Sequence, residues 1–195
     1  MSDEIVYRGK LFQVINRSKE NTFLVDGKEI TKNLTFELVR RPPGVRALIV
    51  QGDKLMLNRE YRYELDDWDY RLPGGKVFDK LEQFEKALAN DSIENSVDEK
   101  LKEELREEAD IEVLGYNLFG VSKSGLTVDW TLYYFLVDKF KILPSFYEKD
   151  KQKSEYEYIQ HVWVNFDDVM DLFLNDKISE DRSAAMILKY ILRKK

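Results

Sequence analysis

The 195-residue chain contains no cysteine. Disulfides, a thiolate nucleophile and cysteine-bound zinc are therefore excluded, and a reducing compartment suits the chain. It has one histidine, His161, so a histidine-rich metal centre is excluded too. Any divalent ion would be held through oxygen, which points to Mg²⁺, Mn²⁺ or Ca²⁺. No stretch approaches the roughly 18 consecutive apolar residues that suggest a membrane span. The opening MSDEIVYRGK is charged and lacks the apolar core of a secretory signal. The expected location is cytoplasmic. Positive charge is not in excess: 31 Lys and Arg against 37 Asp and Glu give a net charge of −6. That balance disfavours a nucleic-acid surface as the main function. An anionic ligand would need a metal or a local arginine cluster.

What is present is an ordinary globular composition, 43% hydrophobic and rich in aromatics. The length suits one domain, or one with a small appendage, and suffices for a real core. IVYRGKLFQVINR and NLTFELVRR alternate in strand fashion, and Asp26-Gly27 between them is a hairpin turn signal. RPPG at Arg41–Gly44 breaks the pattern and is read as the end of an N-terminal antiparallel sheet spanning 1–43. VRALIVQ and KLMLNREYR, joined by Gly52-Asp53, form a second and more buried hairpin. In KLEQFEKALAN, Leu81, Phe84 and Leu88 are spaced for a helix that Asp79 would cap. DSIENS reads as a polar loop. Ser96 with Glu99 forms a capping-box pattern that places the start of the next helix at Val97. Asp110 falls where a left-handed residue would end that helix. TLYYFLVDKF and YIQHVWVNF are strands, and the C-terminal region is two helices broken at NDKISED. The order implies a mixed α/β (α+β) layered domain over 44–195.

Two pieces carry chemistry. RLPGGKVFD holds glycines that let backbone approach a ligand, and the carbonyl at Gly74 would be free to join a metal's shell. LKEELREEADIEV, on a helix, puts Glu104, Glu107 and Glu108 three and four residues apart on one face. Like charges at that spacing repel by about 0.2–0.5 kcal/mol per pair, which a divalent cation among them would offset. The alternative is a solvated face in which Lys100, Lys102 and Arg106 pair with the glutamates.

Together, YRLPGG…KEELREEADI resembles the Nudix box, G-x5-E-x7-R-E-U-x-E-E-x-G-U with U aliphatic. Glu104, Leu105, Glu107, Glu108 and Ile111 match its second half in register, and Gly74-Gly75 its opening. NREYRYELDDWDYRLPGG, SGLTVDWTLYYFLV, SEYEYIQHVWVNFDDV and NDKISEDRSAAMILKYI resemble further segments of the ADP-ribose pyrophosphatase branch, so the resemblance covers most of the chain. It implies a Nudix-fold α/β/α sandwich with a mixed sheet, preceded by the small antiparallel sheet, which would serve dimerisation. It implies Mg²⁺ (or Mn²⁺) on Glu104, Glu107, Glu108 and the Gly74 carbonyl. Substrate contacts fall to Arg62, Gly125 and Asp129, with Trp130 beside a base pocket. The general base would be a loop glutamate, Glu155 or Glu157, or else Glu107. The implied reaction is hydrolysis of the diphosphate in ADP-ribose or a related nucleotide sugar; the alternatives are another nucleotide substrate or a ligand sensor that has lost catalysis.

The chain departs from the box pattern. About fourteen extra residues lie between Gly75 and Glu104, and these form a helical insert over about 78–95, expected to be exposed or partner-facing. The box arginine is Glu103, the box glycine is Asp110, and a proline is Ser124. Glu82 and Glu85 are candidates for the first box glutamate. His161 reads as a packed residue, not a catalyst.

Overall fold

The computed structural model describes residues 2–63, 65–125, 127–144 and 159–194. In chain order the elements are β1 (Ser2–Arg8), β2 (Gln13–Val25), β3 (Lys28–Arg40), β4 (Gly44–Gln51), β5 (Lys54–Arg62), β6 (Asp67–Arg71), α1 (Leu81–Ala89), α2 (Ile93–Glu108), β7 (Ile111–Lys123), β8 (Val128–Asp129), β9 (Thr131–Ile142), β10 (Ile159–Asn165), α3 (Phe166–Leu174) and α4 (Asp181–Lys194). The chain divides into two compact units. One gathers Met1–Pro43, Phe78–Ile93 and Lys123–Thr131; the other Gly44–Val77, Glu94–Ser122 and Leu132–Lys195. The sequence reading instead set consecutive blocks at 1–43 and 44–195.

The first unit is built on the β2–β3 hairpin. Asp26 (φ 51°) and Gly27 (φ 73°) are both left-handed, as a two-residue turn between right-twisted strands requires. The strand expected over IVYRGKLFQVINR is interrupted, because the Gly9 N–H donates to the Phe12 carbonyl across a short turn. β1 then pairs antiparallel with β2. On the far side of β3, β8 pairs in parallel through Val39–Val128 and Arg40–Asp129. The expected antiparallel sheet therefore has a short parallel fourth strand. In α1 the cap is Lys80, not Asp79: its N–H donates to the Gln83 side chain. Leu81, Phe84 and Ala87 are buried. Leu88 falls on the same stripe by helical spacing, yet in the last turn of α1 it is 48% exposed. Arg8 of β1 holds α1 through a two-pronged pair with Glu85 and a contact to Glu82.

The second unit is a six-stranded mixed sheet in the order β10-β5-β4-β9-β7, with β6 on β5. β4 is buried from Gly44 to Val50. Its run VRALIV suits a parallel pairing with β9 under cover on both faces. Two contacts show the cover. Tyr134 of β9 shares a hydrogen bond with Ser183 of α4. The next residue, Phe135, meets Tyr116 edge-on, and Lys102 of α2 lies over the Tyr116 ring. Neighbouring strand residues point to opposite faces, so α2 and α4 cover opposite sides of the sheet. This is the α/β/α sandwich.

Helix α2 starts four residues before the expected Val97. The apolar stripe of Val97, Leu101 and Leu105 continues back one turn to Ile93, so most of DSIENS is helical. Besides the two-residue β8, two strands escaped the sequence reading. β6 (DWDYR) is short and acidic, and β7 carries Gly115 and Gly120 without a clean alternation.

Candidate active site

The turn Pro73-Gly74-Gly75 is fixed to β4 by backbone. Ala47 N–H donates to the Pro73 carbonyl and Val45 N–H to the Gly75 carbonyl, each at 2.9 Å. Gly74 has φ 133°, and a Cβ there would overlap the Val45 carbonyl. Glycine is thus required at Gly74 by both conformation and space. At Gly75 the missing Cβ leaves room for a different group: the carboxylate of Glu104 occupies the space that any side chain would fill. One turn along α2, Glu108 accepts a hydrogen bond from the Gly74 N–H at 3.1 Å. The glycine turn and the glutamate helix, separated in sequence by the insert, therefore form one site.

The alternative reading holds in its pairing, since Lys100 meets Glu103 and Glu104, but not in its solvation. Glu104 is 8% exposed and Glu108 is half-buried, while Glu107 stays exposed. Burial, and then the charge of Glu104, push the Glu108 carboxyl up to about 7; the Gly74 N–H and Arg46 pull the other way. Burial raises Glu104 as well, with a hydrogen bond from Lys100 opposing it. Two desolvated carboxylates thus lie together, and the cations beside them do not outweigh the burial. The cation paired with Glu104 is Lys100, at 3.0 Å and four residues earlier. Beside the turn, the buried Arg46 donates to the Val45 and Gly74 carbonyls and to Glu180. Burial works to raise Glu180, but Arg46 and Ser183 outweigh it, and its carboxyl is lowered.

Arg62 donates to Glu60 at 3.0 Å, and Glu60 is near enough to raise Glu108 further. Gly125 and Asp129 belong to the first unit. Gly125 is exposed, with open space where a Cβ would point. Asp129 receives Arg17 and Arg40, which also hold Asp3. Trp130 lies under the Arg41 guanidinium, 4.2 Å from it. Glu82 and Glu85, the candidates for the first box glutamate, are engaged by Arg8. Glu155 and Glu157 lie outside the described residues. Asp110, standing where the box has glycine, adopts the left-handed conformation (φ 50°) all the same. His161 is half-buried between Asn58 and Asp110. Sequence reading missed Arg46, Glu60 and Glu180. Nothing in the sequence sets an arginine inside an apolar strand opposite a glutamate 134 residues away.

Among the described residues no group of three or more His, Asp or Glu side chains is set to hold a metal by itself. Mg²⁺ does not need one, since it is commonly held by one or two carboxylates, waters and substrate phosphates. Glu104 and Glu108 supply two hard oxygen donors, close together on one helix face, whose charged forms are disfavoured chiefly by burial. They fit the ion on those terms.

No family model matches the chain, and no curated protein does. Among solved structures it is similar to a crystal structure described as an ADP compounds hydrolase. The TM-score is 0.62 at 15% identity, and the match covers 100% of this chain and 91% of that one. This shows a shared fold, the Nudix-like α/β/α sandwich with a small N-terminal sheet. No helix among the described residues is long and apolar enough to cross a membrane.

Proposed function

We propose that the chain is a Mg²⁺-dependent hydrolase that cleaves the diphosphate of a nucleoside diphosphate sugar, with ADP-ribose as the first candidate. The observation that carries this reading is the pair of carboxylates, buried Glu104 and half-buried Glu108, packed on Gly74-Gly75 within a Nudix-like sandwich. Water adds to one phosphorus and the bridging oxygen leaves, so ADP-ribose would give AMP and ribose 5-phosphate. When bound, the ion neutralises the diphosphate and polarises the attacking water. Glu104 and Glu108 hold the ion from a rigid helix, with Glu107 exposed beside them. Gly74-Gly75 bring backbone to the diphosphate. Arg62 binds a phosphate oxygen. Glu155, or else Glu157, takes the proton from the water. The fold neighbour's description as an ADP compounds hydrolase supports the substrate class. We further propose a homodimer formed through the first unit.

A second reading is favoured by one observation. Lys100 already occupies Glu104, as it would in a Nudix-like sensor that binds nucleotides without metal. A panel of ADP-ribose, other nucleotide sugars, dinucleoside polyphosphates and nucleoside triphosphates, each with and without Mg²⁺, separates the two. Release of a nucleoside monophosphate only with Mg²⁺ is expected. Tight nucleotide binding without turnover under any condition would favour the sensor.

A further inference from the structure

We propose that Lys100 is a built-in counter-ion that yields Glu104 to an incoming divalent cation and is held meanwhile by Glu103. This inference rests on the metal reading above. The Lys100 ammonium lies 3.0 Å from Glu104 Oε1 and 3.0 Å from Glu103 Oε2. The two carboxylates differ in kind. That of Glu104 is 11% exposed and lies against Gly75, whereas that of Glu103 is 54% exposed. A divalent ion bound through either oxygen of Glu104 would lie beside the ammonium that now pairs with Oε1. Two cations on one shielded carboxylate repel strongly. Lysine suits a yielding role, because its charge sits on a flexible four-carbon stem with three rotatable donors. Leaving Glu104 does not strand the charge, since Glu103 remains within reach on the solvent side.

The substitution at the box arginine then has a purpose. An arginine at 103 would be a like-charged neighbour three residues from Lys100 on the same helix, and would give the displaced ammonium no partner. Glu103 gives it one. Lys100 and Glu103 act as one device: without metal, Lys100 offsets the repulsion between Glu104 and Glu108, and the ion must compete for that place. Lys100 is thus a positioning residue that sets metal affinity below what the carboxylates alone would provide.

The test is a double-mutant cycle on the full chain, with Mn²⁺ as the probe and free Mn²⁺ read by electron paramagnetic resonance. Lys100→Met should tighten Mn²⁺ binding by about tenfold. Glu103→Gln should weaken it by about threefold when Lys100 is present and leave it unchanged in the Lys100→Met background, because only coupled residues depart from additivity. A merely structural lysine would give the opposite first result, since loosening Glu104 would weaken Mn²⁺ binding. Weaker binding in Lys100→Met, or effects that add in the double variant, would overturn the inference while leaving the metal reading intact. Absence of saturable binding in the wild type and in Lys100→Met would overturn the metal reading itself. If Lys100→Met does not fold, Lys100→Gln, which keeps one hydrogen bond to Glu104, carries the same cycle.

Discussion

The chain contains two hairpins of like construction and unlike surroundings. β2–β3 turns on Gly27 and β4–β5 on Gly52, both glycines being left-handed. Along β4–β5, Gly44–Val50 and Leu55–Asn58 are buried. Toward the turn of β2–β3 nothing is buried: Phe23, Leu24, Val25 and Ile30 are all exposed, Leu24 to 75%. Phe23, Leu24 and Val25 are consecutive, so they point to both faces of the ribbon. Turn chemistry and strand period build a hairpin in either place, but only a layer on each face buries it. The second unit supplies its own layers, and the first leaves an apolar end uncovered. Covering such side chains is worth about 1.5–3 kcal/mol each when complete, and a second copy of the chain is the proposed cover.

The largest expected effects lie in the second unit's chemistry. Glu155→Gln or Glu157→Gln should lower kcat by about 10²–10⁴ for whichever is the base, with Mn²⁺ affinity nearly unchanged. Glu104→Gln and Glu108→Gln should weaken Mg²⁺ binding, with the rate partly restored by raising Mg²⁺. Full turnover in both loop variants would shift the base to Glu107. Next in size are the glycines. Gly74→Ala meets both a positive φ and the Val45 carbonyl, and should cost at least about 2–3 kcal/mol in urea unfolding. Gly27→Ala, with φ 73° but nothing within 4 Å, should cost only about 1–2 kcal/mol. Equal losses at the two positions would remove the contrast between the turns.

Smaller again is the hairpin end. Replacing Leu24 by aspartate should raise the dimer dissociation constant by about tenfold or more, an apolar anchor being worth at least about 1.4 kcal/mol. The monomer should keep its melting temperature, because this side chain is exposed within the chain. Light scattering showing a wild-type monomer at micromolar concentration would remove the dimer proposal.

How far the sequence reached differs between the units for a physical reason. Period and turn residues located β2, β3, β4 and β5, since those signals are local. The spacing of Glu104 and Glu108 put them on one face, and Gly74-Gly75 marked the close approach. The apolar stripe of Val97, Leu101 and Leu105 marks the side of α2 that is covered, and Glu104 and Glu108 border it while Glu107 lies further round; how closely each carboxylate is covered was not in the spacing. The partners of Arg46, Arg8 and Asp129 were equally out of reach, being set by contacts 134, 77 and 112 residues apart. Leu88 shows the same limit inside one helix: Leu81 and Leu88 share a spacing, yet only Leu81 meets a neighbour that covers it.

A last expected effect is a difference of sign with pH. In the second unit, burial and Glu104 hold the Glu108 carboxyl up at about 7, above its ordinary 4.5. The folded state therefore binds that proton more tightly than the unfolded chain does. Stability from this group is complete below 4.5 and is lost as pH rises through 7. In the first unit, hydrogen bonds from Arg17 and then Arg40 pull Asp3 down to about 2 from 3.8. Its contribution is complete above 3.8 and is lost as pH falls toward 2. His161, lowered from 6.5 by burial against the pull of Asp110, works against Glu108, since its contribution grows as pH rises toward 6.5. Subtraction isolates the carboxyl. Without metal, Glu108→Gln should gain stability relative to wild type between pH 5 and 7.5, by on the order of 1–3 kcal/mol in urea unfolding. Asp3→Asn should show no change over that interval, and its deficit relative to wild type should shrink only below pH 4. Parallel curves for wild type and Glu108→Gln from pH 5 to 7.5 would mean that Glu108 is not desolvated.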